Sequence, residues 1–182
     1  EHILSGMFYR EFGGVNRGFH MGDQYMTIDI SDKSAIYRHE LILFDMIANA
    51  NWERPLYMSM TVGDKNYPAV LKKFFVHEGL AYRITPFDWS RLGYETDGGD
   101  PPVDIDRFCN NVINRFKWGG IKENKDYYAD ESIRRMIGTH RNLVAQLATE
   151  MINSDIEDER IVAVLETLYK ELPSETVPYD AL

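Results

Sequence analysis

The chain predicts an α/β fold: a small, mainly parallel three-stranded sheet with crossover helices, followed by an α-helical subdomain. Three observations carry this. Apolar and polar residues alternate in three short segments, as in half-buried strands. Helix-like segments separate those strands, which favours right-handed crossovers and parallel pairing. Past Asp100-Pro101-Pro102 the apolar period lengthens to that of amphipathic helices and stays there.

Residues 1–22 combine Gly6, Gly13, Gly14, Gly18 and Gly22 with Phe8, Tyr9, Phe12 and Phe19, and read as an irregular connector. The α/β subdomain is expected over 23–92. Tyr25–Ile30 alternates, with Met26, Ile28 and Ile30 on one side. Residues 37–50 carry Leu41, Ile42, Phe44, Met46, Ile47 and Ala48 almost all round, which predicts a well-buried helix. Arg54–Val62 alternates again, with Leu56, Met58, Met60 and Val62 facing one way. Ala69–Val76 reads as a short helix and Leu80–Phe87 as the third strand. Parallel strands covered on both faces are usually continuous apolar runs. These alternate, so a two-layer core is expected.

Residues 93–102, rich in Gly, Asp and Pro, form the expected linker. The helical subdomain then spans 103–182. Ile105, Phe108, Cys109, Val112, Ile113 and Phe116 mark one amphipathic helix. Asp130 is a suitable N-cap for the next, whose stripe runs Ile133, Met136, Ile137, His140, Val144, Leu147, Ala148 and Met151. After a polar turn, Ile161, Val164, Leu165, Leu168 and Leu172 mark a third, stopped by Pro173. The last two helices resemble a tetratricopeptide-type hairpin in size, although that repeat's Trp…Leu-Gly…Tyr signature is missing.

Hydrophobic residues are 44% and charged residues 27% of the 182, the balance of a globular chain. A net charge of −9 argues against nucleic acid and anionic lipid as partners, because phosphate binding needs a basic face. Cys109 is the sole cysteine, so neither an intrachain disulfide nor a cysteine metal cluster can form. The apolar runs are far shorter than the ~18 residues of a membrane span. The start at Glu1, with no signal peptide, is expected of a domain taken from something longer.

The strongest candidate ligand site follows from the parallel sheet. Asp29 and Asp32 end the first strand, Thr61, Gly63 and Asp64 the second, and Asp88 and Trp89 the third. Open α/β sheets bind ligands beyond the carboxyl ends of their strands. Ordinary turn chemistry explains the same residues. Asp104-Ile105-Asp106 could hold a divalent cation, but carboxylates at a helix start also cap free N–H groups, and that reading is preferred. The five histidines lack metal-ligand spacing, and His140, within an apolar stripe, reads as a packed histidine. No serine-nucleophile, dinucleotide or phosphate-loop pattern occurs. Trp52, Trp89 and Trp118 could stack on sugars, or could simply anchor element ends. No catalytic residue, metal or cofactor is expected.

Four blocks add a resemblance: Trp52-Glu53-Arg54-Pro55-Leu56-Tyr57, Glu78-Gly79-Leu80-Ala81-Tyr82-Arg83, Phe116-Lys117-Trp118-Gly119-Gly120 and Thr139-His140-Arg141. In this order they resemble the C-terminal soluble region of bacterial multi-spanning membrane proteins of a domain-of-unknown-function family. Those proteins are in turn similar to the protein O-mannosyltransferase type of GT-C glycosyltransferases. The resemblance covers about residues 32–180. It implies that the chemistry lies in a membrane half outside this chain, on acidic residues of an early extracytoplasmic loop. No catalytic residue carries over, and Asp104 and Asp106 gain no such role. It also implies an extracytoplasmic, periplasmic location for this region of an inner-membrane protein. Residues 5–22 depart from the family and would lead back toward the membrane.

The expectation is therefore a non-catalytic accessory or binding domain of a glycosyltransferase-like membrane protein, positioning a protein or glycan acceptor. Its partners would be the membrane-embedded part of the same polypeptide and that acceptor. One alternative is an independent sugar-phosphate- or metal-binding enzyme domain using the strand-end carboxylates. The other is a structural domain that assembles through the helical hairpin.

Overall fold

The computed structural model describes residues 28–31, 34–50, 52, 54–63, 66–92, 100–123, 128–175 and 177–179. The expected connector 1–22, residues 25–27 of the first expected strand, and residues 93–99 of the linker lie outside these. Two compact units emerge, one within Glu1–His77 and Ala81–Pro102, the other within Glu78–Leu80 and Val103–Leu182.

The first unit begins with helix α1, Arg38–Ala50. Its start is fixed by half a capping box: the Tyr37 N–H donates to Glu40 Oε2 at 3.0 Å. Glu40, Phe44, Ile47 and Ala48 form its buried face, with the helical spacing i, i+4, i+7, i+8. The expectation of burial all round is corrected here, since Leu41, Ile42 and Met46 are exposed. Beyond α1, Trp52 takes a left-handed backbone (φ 58°) and packs against the core. It thereby turns the chain into strand β1, Leu56–Ser59.

The expected helix over 69–76 is also corrected. Ala69–Phe74 forms a 3-10 helix, and Phe75–His77 is strand β2, buried throughout. Strand β3 is Ala81–Ile84. Only Glu78-Gly79-Leu80 separates β2 from β3. Parallel pairing needs a crossover of a dozen residues or more, so a three-residue link imposes a hairpin. The sheet is accordingly antiparallel rather than parallel, in the order β1-β3-β2. Leu56 pairs with Ile84 and Ser59 with Ala81 on one side of β3, Phe75 with Ile84 and His77 with Tyr82 on the other. Ile28, which the alternation placed in a strand, is not in one but lies in the core with Phe44, Ile47, Tyr67, Leu71, Phe74, Phe75 and Ile84.

In the second unit Asp104 N-caps helix α2, Ile105–Asn110, its Oδ1 accepting from the Arg107 N–H at 3.1 Å. Asp106 instead pairs with Arg160 at 2.8 Å. A π-helical turn, Asn111–Arg115, follows α2. The Phe116 N–H reaches back five residues to the Asn111 carbonyl, which shifts the apolar register and leaves Ile113 exposed.

Helix α3, Glu131–Asn153, is capped by Asp130 at the Ile133 N–H, 2.8 Å away. It ends in a Schellman motif: the Ile156 N–H donates to the Met151 carbonyl and the Asp155 N–H to Ile152, with Asp155 left-handed at φ 55°. Helix α4, Asp158–Glu171, then runs back along α3, because Arg141 in α3 bonds the Leu172 carbonyl just past the end of α4. Val144, Leu147, Met151, Val164 and Leu168 are buried on these two helices. Among the described residues no second pair of this kind stands beside them. The tetratricopeptide-like expectation thus reduces to a single antiparallel helix pair.

Candidate functional site

Antiparallel pairing changes what the strand ends can do together. In a parallel sheet the three carboxyl ends share one edge. Here the end of β1 at Ser59 lies beside the start of β3 at Ala81, while β3 ends beside Leu56. Thr61 and Gly63 therefore follow one end of the sheet, and Asp88 and Trp89 follow the other. The four-residue strand separates these ends by about 10 Å.

Each described candidate also has a local occupation. Asp29 is exposed and accepts the Ser31 N–H at 2.9 Å. That bond, with the Ser31 hydroxyl, holds its carboxyl below the ordinary range. Thr61 Oγ1 shares a hydrogen bond with Ser59 Oγ at 2.9 Å. The Gly63 carbonyl accepts the Asn66 N–H at 2.8 Å. Asp32 and Asp64 lie outside the described residues.

Asp88 and Trp89 belong to a connected polar group of the first unit. Asp88 pairs with Lys73 at 3.0 Å and Arg91 at 3.5 Å, and its Oδ1 accepts the Ser90 hydroxyl at 2.5 Å. Burial pushes its carboxyl up, but Ser90 and Lys73 together outweigh this and leave it below the ordinary range. Trp89 Nε1 donates to Thr85 Oγ1 at 3.1 Å, and that hydroxyl donates to the Phe74 carbonyl at 2.9 Å. The chain of bonds ties the loop after β3 to the 3-10 helix before β2.

An acid-stability effect follows from Asp88. Its pKa is lower folded than unfolded, so the unfolded chain takes up more protons as pH falls. The stabilisation is present above the unfolded pKa and is lost as pH drops through the folded one. Asp88→Asn is expected to cost about 1 kcal/mol at neutral pH, the scale of an ion pair and a hydroxyl bond. It should also flatten the acid limb of thermal stability. Melts of both proteins at stepped pH decide; superimposable acid limbs would overturn the assignment.

In the second unit the residue blocks gather differently. Glu78 is buried and paired with Arg107 at 3.5 Å, while Asn111 Nδ2 donates to the Glu78 carbonyl at 2.7 Å. Arg141 is buried and serves backbone carbonyls. Cys109 is buried 3.6 Å from Met151 Sδ; burial pushes its thiol up, so it is a packing residue rather than a nucleophile.

Phe116, Trp118 and His140 form a cluster of half-buried rings. Centroids lie 5.5 Å apart for Phe116–Trp118, 5.7 Å for Trp118–His140 and 6.1 Å for Phe116–His140, the last edge to face. His140 Nδ1 stands 2.7 Å from the Met136 carbonyl. A carbonyl only accepts, so Nδ1 carries a proton, and in the neutral imidazole Nε2 is then the acceptor. Gly119 and Gly120 follow Trp118 with φ of 77° and 71°, a turn that other residues adopt only with strain.

The sequence reads His140 as a packed residue and Trp118 as either a sugar-stacking ring or the anchor of a helix end, and does not join the two. Among the described residues no group of His, Cys, Asp or Glu is placed to hold a metal ion, and no helix is long and apolar enough to cross a membrane.

Residues 15–102, just under half of the chain, match the family model described as TMEM260-associated domain 2. The description names an association and not an activity. The match takes in the blocks at 52–57 and 78–83, whereas those at 116–120 and 139–141 lie beyond it. No curated protein and no solved structure matches the chain.

Proposed function

We propose that this chain is a non-catalytic accessory domain of a larger membrane-embedded, glycosyltransferase-like protein, lying outside the cytoplasmic membrane and positioning a protein or glycan acceptor. The observation that carries the reading is the meeting of two separated sequence blocks in one half-exposed cluster, Phe116, Trp118 and His140. Such rings offer a recognition surface, whereas the strand-end carboxylates of the enzymatic alternative are divided between two ends of the sheet. The match to a domain described as associated with TMEM260 is in keeping with an accessory role.

Location can be tested with the chain's own chemistry. Cys109 is its sole cysteine and is buried, so a cysteine placed at exposed Ser154 reports alone for this region. In cells making the parent protein with a permeable outer membrane, a membrane-impermeant maleimide is expected to label Ser154→Cys before lysis. Labelling only after lysis would reject the location. A parent lacking residues 23–182 that still inserts and retains full transfer activity would reject the accessory role.

The assembly reading keeps one supporting observation. Val162, Leu165 and Tyr169 are exposed along α4 at spacings that place them on one face. A strict monomer across concentrations in sedimentation would reject it.

A further inference from the structure

We infer that Phe116, Trp118 and His140 form a stacking platform for one uncharged pyranose ring of a glycan. This inference rests on the accessory reading and specifies its ligand. A pyranose offers two things at once: a face of C–H groups, and a rim of hydroxyls that both donate and accept. The cluster supplies the complement to each.

The apolar part is the half-buried indole of Trp118, with Phe116 and His140 tilted against it at 5.5 Å and 5.7 Å. Aromatic faces carry partial negative charge and attract polarised C–H groups. The polar part is a donor and an acceptor on neighbouring rings. Trp118 Nε1–H has no hydrogen-bond partner among the described residues. The Met136 carbonyl holds a proton on Nδ1, so in the neutral imidazole Nε2 is the acceptor. Phe116 and Trp118 carry no charge, so the stacking face itself offers no counterion to a phosphate.

Access comes from the turn that follows. A Cβ built on Gly119 would meet nothing within 4 Å, so the space beside the Trp118 backbone is open. The left-handed pair Gly119-Gly120 turns the chain at that point without placing a side chain there. A peptide could also lie on aromatic rings, as proline-rich segments do. It would have less use for a fixed donor and acceptor on adjacent rings, so the glycan is favoured.

The test is an amide and indole NMR titration of the whole chain. Its three tryptophans give Trp52 and Trp89 as internal controls. The probes are methyl α-glucopyranoside, methyl α-mannopyranoside and methyl α-galactopyranoside, each taken to about 100 mM because one stacked ring binds at roughly millimolar strength. At least one glycoside is expected to move the Trp118 indole signal while leaving those of Trp52 and Trp89 in place. Trp118→Ala should abolish the response.

His140→Phe keeps a ring in the cluster and removes the acceptor. It should weaken binding by about 3- to 10-fold, the loss of one neutral hydrogen bond. Unchanged affinity in His140→Phe would remove the histidine from the site. No Trp118 shift with any glycoside would overturn the inference, while the deletion experiment on the parent would still judge the accessory role. A shift with a proline-rich peptide alone would replace the glycan by a peptide and leave that role standing.

Discussion

Gly79→Ala is expected to destabilise the protein by about 2–5 kcal/mol, the combined scale of backbone strain and an overpacked contact. Gly79 has φ of 123°, a conformation that side-chain-bearing residues rarely adopt. An added Cβ would stand 2.9 Å from Phe116 Cζ, 3.3 Å from Phe116 Cε1 and 3.5 Å from Phe108 Cδ2. Phe108 is fully buried and cannot retreat. Phe116 could move only by leaving Trp118 and His140, so relief of the clash disrupts the aromatic cluster.

A second glycine separates the two causes. Gly119 has φ of 77° but nothing within 4 Å of its Cβ position, so Gly119→Ala carries strain without a clash. It should cost about 1–2 kcal/mol, the price of a left-handed residue. Urea unfolding of both variants, followed by tryptophan fluorescence, measures the difference. The close approach to Phe116 would be refuted if Gly79→Ala were no less stable than Gly119→Ala. At compatible glycines the same substitution stabilises by about 0.4–1 kcal/mol through the unfolded chain, so even the sign is informative.

Gly79 also marks where sequence reading succeeded and where it could not. The strand expected over Leu80–Phe87 is present as β3, Ala81–Ile84. What preceded it was misread, because Phe74-Phe75-Val76 is a short apolar run, and such runs fit a helix or a strand equally. That ambiguity decided the sheet. Read as a helix, residues 69–76 make a crossover and imply parallel strands. Read as 3-10 helix and strand, they leave three residues for a hairpin and force antiparallel ones.

The candidate site inherited the error, since Thr61 and Asp88 share an edge only if β1 and β3 are parallel. Long periodic segments fared better. The helix expected over 37–50 runs Arg38–Ala50, and Asp130 caps α3 as its spacing implied. How completely a helix is buried was not legible from composition, for Leu41, Ile42 and Met46 are as apolar as Phe44 and Ile47 yet lie outside. The aromatic cluster was illegible for another reason. Trp118 and His140 meet only because a π-helical turn and a glycine pair redirect the chain between α2 and α3, and neither has a periodic signature.

Arg141→Met is expected to cost about 3–5 kcal/mol, the scale of leaving several buried carbonyls without their donor. Arg141 is only 5% exposed, and its guanidinium binds three backbone carbonyls. Nη2 donates to Leu172 at 3.3 Å and Val177 at 2.5 Å, and Nη1 donates to Pro178 at 3.3 Å. The Tyr179 ring lies 4.2 Å from its central carbon. These carbonyls follow the end of α4, where the helix dipole is negative and free acceptors collect.

Methionine matches the length and apolar stem but supplies no donor, so the carbonyls are left without their partner in a desolvated place. Arg141→Lys keeps the charge yet lacks the planar fork that reaches several acceptors at once, and should recover only part of the loss. The damage should begin locally. Leu172, Val177 and Pro178 are tied to Arg141 by three bonds, so the segment after α4 is expected to lose hydrogen-exchange protection before α3 and α4 do. A cut after exposed Glu175 by a glutamate-specific protease should accelerate in the same order, Met fastest and Lys between. If Arg141→Met left both the exchange and the cleavage at Glu175 unchanged, the arginine would not be the clamp on the C-terminal segment that its contacts describe.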